Sequence, residues 1–282
     1  MTTPPTLVQA PVTTLGEGPV WDDQHQALYW LDIPDNRVHR MDAGGSLTSW
    51  DVGQPAGAVV PRASGGLVVA VADGFMALDL DSGELAMLAA VEQDRPENRM
   101  NDGACDRAGR FYAGTMADDE RPAAGTLYRL DPDLSVTTLL TGVGISNGIG
   151  WSPDERLMYY IDSHAHQVDV FDYDPATGAI DGRRQFAAVG RGDVMPDGLT
   201  VDADGGVWVA VWGGGAVLHH DPAGRVREAL RLPAERVTSC VFGGPGLDRL
   251  YITTAAGPGE HAGSMFVWEP GVTGQPGYPF RG

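Results

Sequence analysis

The 282-residue sequence contains no lysine, only two cysteines and no apolar run long enough to span a membrane. A membrane-spanning helix needs about 20 mostly apolar residues, so we expect neither a membrane span nor a membrane partner. The first five residues lack the basic and apolar parts of a secretory signal, which favours a cytoplasmic protein. Cys105 and Cys240 each adjoin the start of a predicted strand, and we expect two buried thiols rather than a disulfide.

Positive charge is also scarce. Nineteen basic residues, all arginine, face 38 acidic residues and give a formal net charge of −19. Such a surface repels the phosphate backbone of DNA or RNA. We therefore expect no nucleic-acid partner.

No segment of useful length shows the amphipathic period of a helix, and a repeated strand-turn-strand phrase is present instead. Its clearest copy, from Ser146 to Ser163, has a polar residue plus glycine, a short apolar strand, a Pro-Asp turn and a second strand ending in aspartate. Matching phrases recur roughly every 40–50 residues, the period of a β-propeller blade. Aligned on one reference position, the six copies place in register Trp21, Pro61, Asp106, Trp151, Val201 and Phe242.

These repeats predict an all-β protein, a six-bladed β-propeller that forms a single domain over residues 1–282. The blades are predicted at residues 17–56, 57–101, 102–146, 147–196, 197–237 and 238–270. A β-prone lead at residues 6–14 is predicted to close the ring by pairing with the last blade. The segment 117–124, longer than a hairpin needs, is predicted to overhang one mouth of the central channel.

Four residues before each reference position lies a residue that we call the ring position. The six ring positions are Glu17, Gly57, Asp102, Asn147, Asp197 and Thr238. Equivalent positions of a propeller lie at equal height around the axis, so the four acidic or amide side chains should meet at one mouth of the channel. Converging oxygen ligands predict a site for a hard divalent cation.

The alternative for the ring positions is that Asp-Gly and Asn-Gly only form turns between blades. Glu17 favours the metal site, because glutamate is a poor turn former and yet occupies the same position. The seven histidines are scattered and show no spacing typical of a zinc site. Next to the third ring position, Arg99 and Asn101 offer hydrogen-bond donors suited to a polyhydroxylated or anionic ligand.

Together these motifs resemble the regucalcin (senescence marker protein) and gluconolactonase family of sugar lactonases. The resemblance covers nearly the whole chain. It is carried by residues 16–21, 98–103, 110–116, 145–148, 160–163, 196–198 and 238–244.

The resemblance implies one catalytic divalent cation held by Glu17, Asn147 and Asp197. It also implies that Arg99 and Asn101 bind a sugar lactone and that Asp102 lies in the site. In the family an acidic side chain from the repeat-three loop reaches the substrate, typically within a Glu-Glu pair. Here the pair Asp118-Asp119 occupies this position, with side chains that are one methylene shorter. By its position in the loop, the resemblance implies a substrate contact by Asp119.

The function implied is metal-dependent hydrolysis of an aldonolactone to its aldonic acid, with attack by water on a polarised ring carbonyl. Asp197 or Asp102 would accept the proton of the water, and the sequence leaves both open. Calcium is the first expectation for the cation, with zinc, manganese, magnesium and ferrous iron as alternatives. The expected partner is a small-molecule sugar lactone, and the expected assembly is a monomer or weak homo-oligomer.

Two other functions fit the same residues. A calcium-binding regulator without chemistry of its own would use the same ring of oxygens, although Arg99 and Asn101 would then have no purpose. A propeller phosphotriesterase would also place a Lewis-acid metal at a channel mouth.

Overall fold

A computed structural model describes residues 4–8 and 10–282 of the chain. In these described residues, twenty-four strands form six four-stranded antiparallel sheets. Within the described residues the helical content is one 3-10 turn at Ser163–Ala165, and no helix there is long and apolar enough to cross a membrane. The predicted all-β, six-bladed β-propeller is confirmed.

Each sheet is one blade, and its strands follow one another outward from the channel axis. From the innermost strand outward, the blades are blade 1, β2–β5 (Gly16–Asp22, Ala27–Asp32, Arg37–Asp42, Leu47–Asp51); blade 2, β6–β9 (Ala56–Pro61, Leu67–Val71, Gly74–Leu78, Leu85–Ala90); blade 3, β10–β13 (Asn98–Cys105, Phe111–Ala117, Gly125–Leu130, Val136–Val143); blade 4, β14–β17 (Ser146–Trp151, Leu157–Asp162, Gln167–Asp174, Ala179–Ala188); blade 5, β18–β21 (Met195–Val201, Val207–Trp212, Ala216–His220, Val226–Arg231); and blade 6, β22–β24 with β1 (Val237–Gly243, Arg249–Thr254, Phe266–Trp268, Thr6–Leu7).

The hydrophobic core lies between neighbouring blades. The second strand of blade 2, Leu67–Val71, consists of Leu, Val and Ala and is buried throughout, as is Ala27–Asp32 in blade 1. Such strands read as continuous apolar runs because both of their faces are covered. The outermost strand of blade 1, Leu47–Asp51, is largely exposed. Cys105 and Cys240 are free and buried, as predicted.

The innermost strands contact one another in sequence around the ring, and β22 of the last blade contacts β2 of the first. Thr6–Leu7, within the predicted closing segment 6–14, pairs antiparallel with Phe266–Trp268 and supplies the outermost strand of blade 6. Gln9 of that segment lies outside the described residues, as do residues 1–3, on which the expectation of no signal sequence partly rests.

Every innermost strand is irregular at its ring position, where its register against the second strand shifts. Such β-bulges re-aim side chains and bend the strand locally. In the six blades the shifts fall between Glu17 and Val20, Ala56 and Ala58, Met100 and Asp102, Asn147 and Ile149, Pro196 and Leu199, and Val237 and Ser239.

The glycines after the ring positions serve close packing between blades. A Cβ on Gly148 would lie 2.7 Å from the Leu199 nitrogen, and one on Gly198 would lie 2.1 Å from Ser239 Oγ. Both glycines stand inside innermost strands, so their Asn-Gly and Asp-Gly pairs are not turns between blades. Only glycine permits the neighbouring backbone or side chain to approach this closely.

The C-terminal segment crosses the end of the channel opposite the ring positions. Gln275 Nε2 donates to the Trp151 carbonyl at 2.9 Å, and the Phe280 N–H donates to the Pro61 carbonyl at 2.9 Å. The Phe280 side chain is fully buried. The segment thereby ties blade 4 to blade 2 and narrows this end of the channel.

Candidate metal and substrate site

The described part of the chain encloses two cavities along the channel axis. One of about 110 Å³ opens at the ring-position mouth and is lined by polar side chains from four blades, those of Glu17, Arg99, Asn101, Asn147 and Asp197. The other, of about 160 Å³, lies deeper along the axis and is lined by both apolar and polar groups.

Asp102 lines a different cavity from the other residues of the predicted site. It lines the deeper axial cavity, together with Trp21 and Cys240, and does not line the mouth pocket. Its Oδ1 accepts a hydrogen bond from the Gly103 N–H at 2.7 Å. Of the two candidate proton acceptors, Asp197 is thus the one that lines the mouth pocket.

The three acidic ring positions are all buried, and neighbouring carboxylate charges disfavour ionisation of Glu17 and Asp197. Glu17, Asp102 and Asp197 are 5%, 7% and 6% exposed. Burial, followed by the charges of Asp197 and Asp102, raises the pKa of Glu17 well above its usual range. Burial and then the charge of Asp102 likewise raise the pKa of Asp197, and burial raises the pKa of Asp102 to about 7. A nearby cation would relieve this repulsion.

Asn147 has a fixed orientation that leaves its oxygen free. Its Nδ2 donates to Ser163 Oγ at 2.9 Å, and Ser163 Oγ donates to the Pro196 carbonyl at 2.8 Å. Among the described residues, no group hydrogen-bonds to the buried Oδ1 of Asn147. An unsatisfied buried amide oxygen is costly and calls for a partner, such as a metal ion.

The predicted ligand set therefore suits a hard divalent cation, because it offers two carboxylates and one free carboxamide oxygen. Within residues 4–8 and 10–282, no group of three or more His, Cys, Asp or Glu side chains is arranged to hold a metal ion. The set of Glu17, Asn147 and Asp197 has two acidic members, and its amide oxygen is the third donor. These metal ligands remain a prediction.

Arg99 is held over the pocket by its neighbours. Its Nη1 donates to Asn101 Oδ1 at 2.7 Å and to the Met100 carbonyl at 3.1 Å, and its Nε lies 3.6 Å from Asp118 Oδ1. Its side chain is 15% exposed. Asn101 also donates from Nδ2 to the Ser146 carbonyl at 2.8 Å. Both polar atoms of Asn101 thus already have protein partners, whereas Arg99 keeps further N–H donors for a ligand.

The acidic residues of the loop between β11 and β12 in blade 3 differ in whether they line the mouth pocket. Asp119 has a 64% exposed side chain, pairs with Arg121 at 3.2 Å and does not line the mouth pocket. Glu120, the next residue, does line it. The substrate contact of Asp119 remains a prediction, and Glu120 is the acidic loop residue nearest in position to that role.

Sequence reasoning also missed the apolar wall of the pocket and Ser163. Met116, Met195 and Trp212 line the pocket, and the Arg236 guanidinium lies 5.0 Å from the centre of the Trp212 ring. Residues of this kind at strand ends resemble core residues in a sequence. A signal for Ser163 was present, since it follows the aspartate that ends the second strand of the clearest repeat.

The chain is similar to known proteins over most of its length. Residues 15–256 match the family described as the SMP-30/Gluconolactonase/LRE-like region. Regucalcin of Gallus gallus is 39% identical over 284 residues, which cover 95% of each chain.

Two solved structures are similar over nearly their full length. Regucalcin of Agrobacterium tumefaciens, described as a calcium-binding protein, has a TM-score of 0.93 and 27% identity, covering 99% of this chain and 98% of its own. A luciferin-regenerating enzyme has a TM-score of 0.91 and 31% identity, covering 98% of this chain and 99% of its own. From the match over residues 15–256 and the near-complete overlap with a relative at 39% identity, the chain belongs to the SMP-30/gluconolactonase/LRE-like family.

Proposed function

We propose that this protein hydrolyses a sugar lactone to the corresponding aldonic acid with the help of one divalent cation. Membership of a family whose description includes gluconolactonase supports the lactonase activity. The description of the Agrobacterium tumefaciens relative as calcium-binding supports a cation, with calcium as the first expectation.

The observation that carries the proposal is the free Oδ1 of Asn147 beside two buried carboxylates whose pKa values are raised. Glu17, Asn147 and Asp197 would hold the cation. When bound, the cation supplies Lewis-acid polarisation of a carbonyl oxygen and offsets the negative charge of the carboxylates. All three donors are oxygens, which is the preference of calcium and other hard cations.

The remaining pocket residues bind and orient the lactone. Arg99 donates hydrogen bonds to its ring or hydroxyl oxygens, and the carboxylate of Asp118 at 3.6 Å keeps the guanidinium in place. Trp212 offers an aromatic surface to the C–H face of a sugar ring. Asp197 accepts the proton of the attacking water, because it is the candidate acceptor that lines the pocket.

Lactone turnover with defined cations tests this proposal. Protein stripped with a chelator is assayed against pentono- and hexonolactones with calcium, manganese, zinc, magnesium or ferrous iron added singly. We expect negligible turnover without a cation and restored turnover with at least one. Cation binding without turnover of any lactone would instead support a regulatory calcium-binding protein. Faster turnover of a phosphotriester than of every lactone would support the third function.

Arg99→Ala separates substrate binding from cation binding. Arginine has no acceptor atom with which to ligate a metal, so the variant should bind one equivalent of cation with wild-type affinity. Loss of a charge-assisted hydrogen bond, worth about 1.5–3 kcal/mol, should lower kcat/KM about tenfold or more. Calorimetry gives the stoichiometry and steady-state kinetics gives kcat/KM.

Arg227→Ala is the matched control for this prediction. Arg227 is a surface arginine of blade 5 that pairs with Asp221 at 2.8 Å, and neither residue lines the pocket. We expect its kcat/KM to stay close to the wild-type value. Equal losses in the two variants would show that Arg99 has no specific role in substrate binding.

A further inference from the structure

Three hydrogen bonds between neighbouring blades share one feature. Each runs from a side chain of one blade to the backbone carbonyl that immediately precedes a predicted cation ligand in the next blade. Thr238 Oγ1 donates to the Gly16 carbonyl at 2.5 Å, Asn101 Nδ2 to the Ser146 carbonyl at 2.8 Å, and Ser163 Oγ to the Pro196 carbonyl at 2.8 Å. The residues that follow these carbonyls are Glu17, Asn147 and Asp197.

The other three ring positions lack this arrangement. Gly57, Asp102 and Thr238 are preceded by Ala56, Asn101 and Val237. Within residues 4–8 and 10–282, no hydrogen bond from a side chain to any of those three carbonyls accompanies the bonds described above. All six ring positions have a β-bulge, so the bulge alone does not explain the difference. The side-chain bonds coincide with the predicted ligands.

Because the peptide unit is planar, a hydrogen bond to the carbonyl also helps to orient the ligand residue that follows it. The carbonyl of one residue and the Cα of the next belong to the same planar unit. A bond that fixes the carbonyl therefore fixes the position from which the following side chain leaves the backbone. This matters most at a bulge, where the regular pairing between strands is interrupted.

Ser163 additionally decides which atom Asn147 presents to the pocket. A carbonyl oxygen only accepts, so the single hydroxyl hydrogen of Ser163 is used at Pro196. Ser163 Oγ must then accept from Asn147, and only the amide nitrogen can donate. The oxygen of the amide consequently faces away from Ser163 and remains free. One serine thereby orients two predicted ligands, Asn147 and Asp197.

Thr238 has the corresponding place beside Glu17. Its side chain is completely buried, and it shares a second hydrogen bond of 2.9 Å with the Thr253 hydroxyl. Thr253 is itself 2% exposed. The buried Thr253 hydroxyl therefore helps to hold the Thr238 hydroxyl toward the Gly16 carbonyl.

We propose that Ser163 and Thr238 are positioning residues for the cation site, acting with Asn101 through the carbonyls that precede the three ligands. The inference rests on the proposed function for its cation, but not on the identity of the lactone. Groups that orient metal ligands typically change metal affinity about 10–100-fold when they are removed. Loss of either hydroxyl should therefore weaken cation binding without removing a ligand.

The test measures cation affinity by calorimetry on the full chain after chelation, with calcium and manganese as probes. Ser163→Ala and Thr238→Val should each raise Kd about tenfold or more. Ser163→Thr and Thr238→Ser keep the hydroxyl. They should bind the cation more tightly than Ser163→Ala and Thr238→Val, respectively. Two separate positions are used, so a variant that fails to fold at one still leaves the other.

Ser152→Ala is the matched control. Ser152 Oγ donates to Asp154 Oδ1 at 2.6 Å and accepts from the Leu157 N–H at 3.0 Å, in the turn after β14. This variant should lower the unfolding temperature of the metal-free protein and leave Kd unchanged. Equal Kd values for wild type, Ser163→Ala and Thr238→Val would overturn the inference, as would equal losses in the variants that keep the hydroxyl.

The readout also distinguishes this inference from the proposed function. If wild type binds the cation but hydrolyses no lactone, the proposed function fails and the Kd differences still test the positioning residues. If wild type hydrolyses lactones and the alanine and valine variants bind the cation normally, the inference alone fails.

Discussion

Asp197→Asn is expected to lower kcat for lactone hydrolysis by about 10³-fold, since the loss of metal-assisted stabilisation amounts to several kcal/mol. The substitution keeps the size of the side chain and one oxygen but removes its charge. Asp197 is buried and lines the mouth pocket beside Arg99 and Asn147. In our proposal it is both a cation ligand and the proton acceptor, so cation affinity should fall together with kcat. Calorimetry and steady-state kinetics measure the two quantities.

Asp102→Asn is the matched control, because Asp102 is an equally buried ring aspartate that lines the axial cavity instead of the pocket. We expect it to bind the cation and to keep kcat within about tenfold, whereas loss of a general base costs about 10²–10⁴-fold. A steep loss of kcat with the cation still bound would assign the proton acceptor to Asp102. Near-wild-type kcat in Asp197→Asn would refute the role of Asp197.

The metal-free protein should become more stable as the pH falls from about 8 to about 5. Asp102 has a pKa of about 7 in the folded protein, against about 4 in an unfolded chain. A raised pKa means that the folded state binds more protons in this window. The stabilisation is thus fully present below the unfolded pKa and is lost as the pH rises through the folded pKa. For Asp102 we expect on the order of 2–4 kcal/mol.

Removing one of these carboxylates should remove the corresponding pH dependence. Metal-free Asp102→Asn should exceed metal-free wild type in unfolding free energy at about pH 8, and the two should converge toward about pH 5. Glu17→Gln should act in the same direction, since burial and the charge of Asp197 raise the pKa of Glu17. Denaturant unfolding at each pH measures the difference. Parallel curves for wild type and both variants would contradict the raised pKa values of Asp102 and Glu17.

Addition of the cation should make wild type more stable than Glu17→Gln at about pH 8, the reverse of the order expected for the metal-free proteins. A cation binds the deprotonated carboxylates, so stability gained from it increases with pH. At about 100 times Kd the gain is about 2.7 kcal/mol. Glu17→Gln, which keeps an amide oxygen but loses one of the two negatively charged ligands, should show a smaller gain than wild type, although its metal-free form is more stable than wild type at about pH 8.

The sequence by itself determined the architecture and the residues of interest. A phrase of two strands and a turn recurs every 40–50 residues or so, and such a unit can bury its apolar strands only by packing against further copies. Six copies of the phrase therefore predict six blades without any information on contacts. The same alignment gave the ring positions, since equivalent residues of a propeller must occupy equivalent heights. The alignment of the repeats does not depend on which side chains are in contact.

Only the tertiary structure decided which ring positions line the mouth pocket and which line the axial cavity. The sequence treats Asp102 and Asp197 alike, yet their bulges differ, with shifts at Met100 to Asp102 and at Pro196 to Leu199. Asp197 then lines the mouth pocket and Asp102 the axial cavity. The direction of a side chain at a bulge depends on the local backbone and the neighbouring blade. Residue spacing within one repeat contains neither.

The partners of the ligands were likewise decided by packing between blades. Ser163 is distant in sequence from Pro196, and Thr238 lies 222 residues from Gly16, yet each pair is hydrogen-bonded. The free oxygen of Asn147 follows from the first of these bonds and could not be inferred from an Asn-Gly pair. Side-chain hydrogen bonds depend on distances and directions of a few tenths of an ångström. Those are set when the ring closes and the six blades pack against one another.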